Sequence, residues 1–331
     1  MCRASGRADA ALAMLHIERG NDVEVLEGAL ACSAAVCRFE FPILDGIPIL
    51  VPNVREVLAM QFDALTERDD LSPYALSFIA DSAGPGSDFD RQRYQLGAYT
   101  HAHWATGDHG ARGTAGAFST LVDAAIDSTG ASPTGIWLDI GCAVGRGVAS
   151  LVSAGAHLVL GIDLSLPMLR QAQRALRGGS IAYDLRKVGV VYERHTVAIT
   201  APASESVALW CADATNLPLA ASRCDGALAL NVLDCVRFPA SVLHELARAL
   251  KAGGRAAMSS PYDWSPSATA LDAWIGGHTQ RGPSAGSSAA EVRRALGPSD
   301  PMSLALSIID EREVAWPLHV HDRAAMHYLV D

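Results

Sequence analysis

Apolar positions change their period along this chain. From residue 134 onward the runs GIWLDI, HLVLGID, SVALWCA, DGALALN and GRAAMSS read as strands, while the run from Gly147, SLPMLRQAQRAL and PASVLHELARAL carry helical spacing. Mostly apolar strands separated by helices suit a sheet covered on both faces. The pattern predicts an α/β fold with a doubly wound, mostly parallel sheet across residues 131–331. Residues 1–52 differ in texture, end in the β-type run CRFEFPILDGIPILVP and read as a small N-terminal β module. Residues 53–130 combine the helical patterns VREVLAMQFDALTER and AFSTLVDAAIDS with a loop, DSAGPGSDFD, and a polar aromatic stretch, YTHAHW. They read as a helical connector or cap.

Composition narrows the class. Half the residues are apolar and 19% charged, so the chain can bury a core and is not a disordered tail. The apolar stretches at 41–52 and 157–164 are broken by Asp and Gly short of the roughly 20 residues of a membrane span. Asp9 interrupts the short run after Arg3 and Arg7, and no small-residue cleavage site follows, so a cytoplasmic protein is expected. A net charge of −10, with Lys187 and Lys251 as the only lysines, disfavours a nucleic-acid surface. Seven scattered cysteines suggest buried thiols or a metal site rather than a disulfide framework.

The run WLDI ends in Asp139 and passes directly into GCAVGRG, where Gly141, Ala143, Gly145 and Gly147 form a tight turn opening a helix. A dinucleotide fingerprint would read GxGxxG, so this spacing argues against NAD. A carboxylate at Asp139 suits a ligand carrying its own cation. The second strand ends in Asp163, where an acid can accept both hydroxyls of a ribose. The third ends in CADATNLP, where Asp213 can accept from an exocyclic amine and Ala214 can supply a backbone N–H. Each acid singly reads equally as a helix cap. Three at consecutive strand ends point to a nucleoside.

Residues 134–260 resemble the class I S-adenosylmethionine-dependent methyltransferases: WLDIGCAVGRG resembles their first motif and GIDLS their ribose-binding acid. CADATNLP resembles their adenine-binding turn, DGALALNVLDCV their fourth-strand motif and LARALKAGGRAAMSS the helix, turn and strand that follow. The resemblance implies a Rossmann-like sheet of seven strands, the last antiparallel ones supplied by SLALSIIDE and HVHDRAAMHYLVD. An incomplete final strand would leave an edge for a second copy of the chain or a partner to cover. It also implies S-adenosyl-L-methionine as cofactor, with Cys142, Leu164, Met168 and Asn231 beside Asp139, Gly141, Ala143, Gly145, Asp163, Asp213 and Ala214. Two departures stand out: Ala143 replaces the middle glycine, and Leu233-Asp234-Cys235 replaces the acid–His pair that often follows the fourth strand.

Methyl transfer from a sulfonium needs alignment and a deprotonated nucleophile more than elaborate chemistry. The loop after the fifth strand offers Tyr262 and His278 as catalytic candidates, with Asp263, Trp264 and Trp274 as substrate walls. A packed surface loop with buried tryptophans is the competing reading. This loop and residues 189–199 resemble the methyltransferase domain fused to ovothiol-type sulfoxide synthases, which implies an amino-acid-like or heterocyclic acceptor. In YTHAHW, His103 is a candidate base and Trp104 a pocket wall; a metal at His101, His103 and His109 is the weaker reading, because HxH needs further ligands.

CSAAVCRFEFPILDGIPIL resembles the second half of small zinc-ribbon methyltransferase activators. Such a ribbon needs four ligands, and only Cys2, Cys32 and Cys37 are available, so the module reads as truncated or degenerate. Cys142, Cys211, Cys224 and Cys235 read as core thiols. The expectation is a small-molecule methyltransferase, with an RNA methyltransferase or a non-catalytic cofactor-binding partner subunit as alternatives.

Overall fold

The computed structural model describes residues 10–53, 84–297 and 304–331, apart from 35, 36, 38, 45, 108, 109, 203, 283 and 305. The expected helix VREVLAMQFDALTER, together with Cys2 and His109, lies outside the described residues. Four strands come first: β1 (Leu12–Gly20), β2 (Val25–Cys32), β3 (Glu40–Leu44) and β4 (Ile47–Leu50). Two helices follow, α1 (Asp88–Trp104) and α2 (Phe118–Ser128). The alternating part runs β5 (Ile136–Ile140), α3 (Arg146–Ser153), β6 (Leu158–Asp163) and α4 (Leu166–Arg177). A hairpin, β7 (Gly179–Val188) with β8 (Val191–Ile199), precedes β9 (Val207–Ala212) and β10 (Cys224–Leu230). The chain closes with α5 (Pro239–Ala249), β11 (Leu250–Ser259), α6 (Ser288–Leu296) and the hairpin β12 (Val314–His321) with β13 (Ala324–Val330).

The main sheet has the order β1-β2-β3-β4-β9-β6-β5-β10-β11. From β4 to β11 every neighbouring pair is parallel, whereas β1 to β4 pair antiparallel. Successive residues of one strand serve opposite cores. Trp137, Val159 and Leu228 pack with Phe118, Leu121, Val148 and Leu169 on one face. Leu138, Leu160 and Ala229 pack with Val242, Leu246 and Val292 on the other. The molecule is therefore the expected doubly wound, parallel-dominated α/β fold, and all five expected parallel strands form. No helix among the described residues is long and apolar enough to cross a membrane.

The strand count departs from seven in two places. The N-terminal strands join the main sheet, because β4 carries fully buried Ile47 and Ile49 and pairs through Ile49 and Leu50 with Cys211 and Ala212 of β9. At the other end, residues 306–313 form no strand, and β12–β13 leave the sheet as a separate hairpin. Trp316 explains that choice: it is buried between Phe118 of α2 and Tyr328 of β13.

A cap of α1, β7–β8 and β12 covers one side of the sheet. Helix α1 starts on Ser87, whose Oγ accepts from the Asp90 N–H at 3.2 Å. YTHAHW belongs to this helix, which docks through polar as well as apolar side chains. Arg93 donates to Asp184 at 2.9 Å, and Arg186 and Tyr192 both donate to Asp90, at 2.8 and 2.9 Å. His101 is buried between the Tyr183 hydroxyl and Thr114, each at 3.1 Å. Burial pushes the Tyr183 phenol up to about 12, so it stays a neutral donor.

Candidate active site

Strand β5 delivers Asp139 to the carboxyl edge of the sheet, and the chain reverses at once. Gly141 and Gly145 take φ of 71° and 86°, and Ala143 also sits at a positive φ of 44°. A Cβ on Gly141 would stand 2.5 Å from the Val232 side chain, so only glycine passes there. The turn is pinned by its neighbours: Gly141 and Cys142 N–H groups donate to the Ile162 carbonyl, and the Trp104 indole donates to the Val144 carbonyl at 2.7 Å. Asp139 is buried, and its Oδ2 has no protein partner. Burial pushes its carboxyl up to about 7, the Val148 N–H opposes this, and the Asp163 charge adds to it.

The adjacent strand ends each present a polar group. Asp163 accepts from the Ala143 N–H at 2.9 Å and the Ser165 N–H at 2.8 Å, which fixes both carboxylate oxygens. Asp213 accepts from the Thr215 N–H and hydroxyl. Asn231, at φ 56°, receives the Ser259 hydroxyl on Oδ1, while its Nδ2 is buried without a partner. In space the order is Asp213, Asp163, Asp139, Asn231, on the neighbouring strands β9, β6, β5 and β10. Four strand ends span about 15 Å, the reach of an elongated ligand with several polar groups. Leu164 is exposed and Met168 and Ala214 half-buried at this edge, while Cys142 is buried with its thiol pushed well above its usual range by burial.

The other site candidates occupy separate settings. His103 is 2% exposed, stacks on Phe118 at 4.2 Å, and neither ring nitrogen has a partner. Burial, helped by the Arg146 charge, pushes it down to about 3. Tyr262 lines a cavity of about 440 Å³ beside β11 with Leu230, Val292 and Arg293, which none of the strand-end acids lines. His278 is exposed, with Nδ1 on the Gly276 carbonyl. Trp264 and Trp274 stack at 5.9 Å, their indoles donating to Ser288 and the Thr269 carbonyl, so both rings carry the loop's own packing. Asp263 is exposed and its N–H donates to Asp234 Oδ2.

Tyr99, Tyr328 and Arg146 were not singled out from the sequence, and Asp234 stood out there only as part of Leu233-Asp234-Cys235. Asp234 is 3% exposed, ties the Ser260–Asp263 segment to β10, and burial raises its pKa. Tyr99 and Tyr328 are pushed up by burial, and Cys235 and Asp234 add to both, so α1 and the last hairpin approach the end of β10. The acid in Leu233-Asp234-Cys235 was a legible signal; the tyrosines, contributed by distant segments, were not. In the N-terminal region Cys32, at the end of β2, is half-buried and Cys37, between β2 and β3, is buried, both outside any disulfide. No group of three or more metal-ligating side chains occurs among the described residues.

Residues 138–258 match the family model of a methyltransferase domain. No curated protein matches the chain. Among solved structures, the chain is similar to the cyclase SpnF at 22% identity and a TM-score of 0.36, covering 48% of this chain and 50% of that one. A Haemonchus contortus phosphoethanolamine N-methyltransferase 2, solved with phosphomonomethylethanolamine and S-adenosylhomocysteine, matches at 21% identity and 0.33, over 43% of this chain and 28% of that one. A Mesorhizobium loti S-adenosylmethionine-dependent methyltransferase matches at 23% and 0.32, over 44% and 55%. The chain thus spans about half the length of the first and third of these and less of the second.

Proposed function

We propose that the chain transfers a methyl group from S-adenosyl-L-methionine to a small acceptor with an amino-acid-like or heterocyclic N or S nucleophile. The observation that carries this reading is the row of polar strand ends, with the Asp139 oxygen and the Asn231 amide, on adjacent strand ends, each buried and unpartnered. Buried polar groups without partners are costly, so these two fit a ligand that brings both a donor and an acceptor. The matched methyltransferase domain contains all four strand ends.

When bound, S-adenosylmethionine supplies a methyl group on a sulfonium, whose leaving group is already good. Asp163, held by two N–H groups, is oriented to accept ribose hydroxyls, and Asp213 with Ala214 borders the adenine end. Asp139 faces the amino end, with Gly141, Cys142, Ala143 and Gly145 shaping the floor and Leu164, Met168 and Asn231 its sides. His103 stays neutral near pH 7, since burial depresses its pKa to about 3. It therefore suits alignment of an acceptor better than removal of its proton. Trp104, anchored on the glycine-rich turn, borders the acceptor side in this reading, and the negative charge of the chain favours a small molecule over RNA.

Calorimetric titration with S-adenosylmethionine and S-adenosylhomocysteine tests the proposal. Wild type is expected to bind both and Asp163→Ala to bind both roughly a hundredfold more weakly. Absence of binding to wild type would leave the fold intact and remove the activity.

A further inference from the structure

We infer that the cavity along the outer edge of β11 is a binding site for a small, uncharged, mostly apolar molecule that carries one hydrogen-bond-accepting oxygen. The site is separate from the row of strand-end acids, none of which lines it, and independent of what that row binds. Strand β11 is the last in the sheet order, so no described strand pairs with its outer edge. The cavity, of about 440 Å³, follows Gly253–Ser259 of that strand. Its walls come from both layers of the fold: Leu121 and Ala125 of α2 belong to one core, Leu246 of α5 and Val292 of α6 to the other. The space therefore lies in the plane of the sheet. Residues 306–312 add a further wall. Leu306 packs on the second core and Val314 on the first, so this segment passes round the edge of the sheet without pairing with β11. The volume it encloses is that of a small-molecule site.

The lining sets the chemistry of the occupant. Its charges balance, three arginines against three acids, and four of the six are already engaged: Arg293 donates to Glu311 at 2.6 Å and Arg312 to Asp310 at 3.0 Å. Both pairs are partly exposed, which leaves the inner walls apolar. A charged ligand would meet as much repulsion as attraction there and lose its hydration. Tyr262 is the distinct polar group. Its ring is half-buried, and its hydroxyl makes no hydrogen bond among the described residues. Burial pushes the phenol up to about 12, so it stays a neutral donor. The Tyr262 backbone also takes a φ of 52°, rare for a bulky residue, and its N–H donates to the Ser260 hydroxyl at 3.0 Å. Strain of this kind persists where the surroundings hold a side chain in one place. One fixed donor on an apolar wall is matched by one acceptor on an apolar ligand.

The test follows displacement of N-phenyl-1-naphthylamine, a dye that fluoresces in apolar cavities, from the full chain. The competitors are 2-acetylnaphthalene, 2-ethylnaphthalene, which has the same shape without the oxygen, and 2-naphthoate, which adds a charge. Wild type is expected to bind the dye and to prefer the ketone over the hydrocarbon by about twofold to tenfold, the worth of one net hydrogen bond, with 2-naphthoate weakest. Tyr262→Phe should erase the ketone preference and leave hydrocarbon affinity unchanged. Ala124→Leu on α2 and Ala289→Leu on α6 fill the cavity from opposite sides, and either should weaken every ligand while the urea midpoint stays near that of wild type. Failure of wild type to bind the dye, or unchanged binding in both filled variants, would overturn the site. A ketone preference that survives in Tyr262→Phe, or tightest binding of 2-naphthoate, would overturn the ligand class.

Discussion

The strand-end edge and the cap above it are built by opposite means. At the edge, Asp163 reaches the turn at Ala143 and its own neighbour Ser165, and Asp213 reaches Thr215, so each polar group is placed within one βα unit or across adjacent ones. In the cap, Arg93 of α1 pairs with Asp184 of β7, Arg186 with Asp90, and His319 of β12 accepts from the Ala111 N–H. The edge is thus assembled from short-range geometry around a glycine-rich turn, and the cap from buried polar contacts between distant segments. Tolerance to substitution should divide along the same line: the edge loses ligand while staying folded, and the cap loses stability first.

Breaking the cap should give the largest effect. The Arg93 and Asp184 side chains are only 8% and 10% exposed, so Arg93→Met leaves a nearly buried carboxylate with less compensation. The expected loss is about 3–5 kcal/mol, read as a lower midpoint in urea unfolding. At the edge, Asp163→Ala should cost roughly a hundredfold in S-adenosylhomocysteine affinity, the worth of two charged hydrogen bonds, with a smaller change in the unfolding midpoint. A midpoint loss there as large as that of Arg93→Met would break the comparison.

Gly97→Ala should fall next. An added Cβ would meet the Asp184 carbonyl oxygen, so α1 must shift off β7, at a cost of about 1–3 kcal/mol visible as lowered thermal stability. Acidity sharpens the contrast further. Asp139 titrates at about 7 when folded, above the 3.8 of a free aspartate, so the folded chain holds the proton more tightly. Ligand-free stability should therefore fall as pH rises between about 4 and 7 and level off above, and Asp139→Asn should flatten that slope in melting curves. The smallest effect is expected at Lys187, whose pair with Glu193 is about half exposed on both sides; Lys187→Met should change stability by less than about 1 kcal/mol.

What could be read from residues alone follows the same division. The five parallel strands and their acids were legible because apolar runs, glycine spacing and a terminal carboxylate are local signals. Helix α1 was only a polar aromatic stretch in the sequence, because its buried Arg93, Thr100, His101 and His103 break the apolar stripe that marks a helix. The β7–β8 hairpin escaped notice although Ile181, Tyr183 and Leu185 alternate inward, since its polar partners come from α1 and β12. The expected strand over 303–311 failed for a related reason: Ile308 and Ile309 are exposed, and the apolar anchor that decides the C-terminal path is Trp316.

The pairing of β4 with β9 sets an order of events during synthesis. Strands β1 to β4 leave the ribosome before β9 and can zip to one another as neighbours, but the outer side of β4 has no partner until Cys211 and Ala212 have been made. Through that interval its Ile47 and Ile49 remain uncovered, and the loop that must close spans half the chain. A segment made well before β9 is thus among the last to be sealed, and β9, which carries Asp213 at its end, is the seam on which it closes.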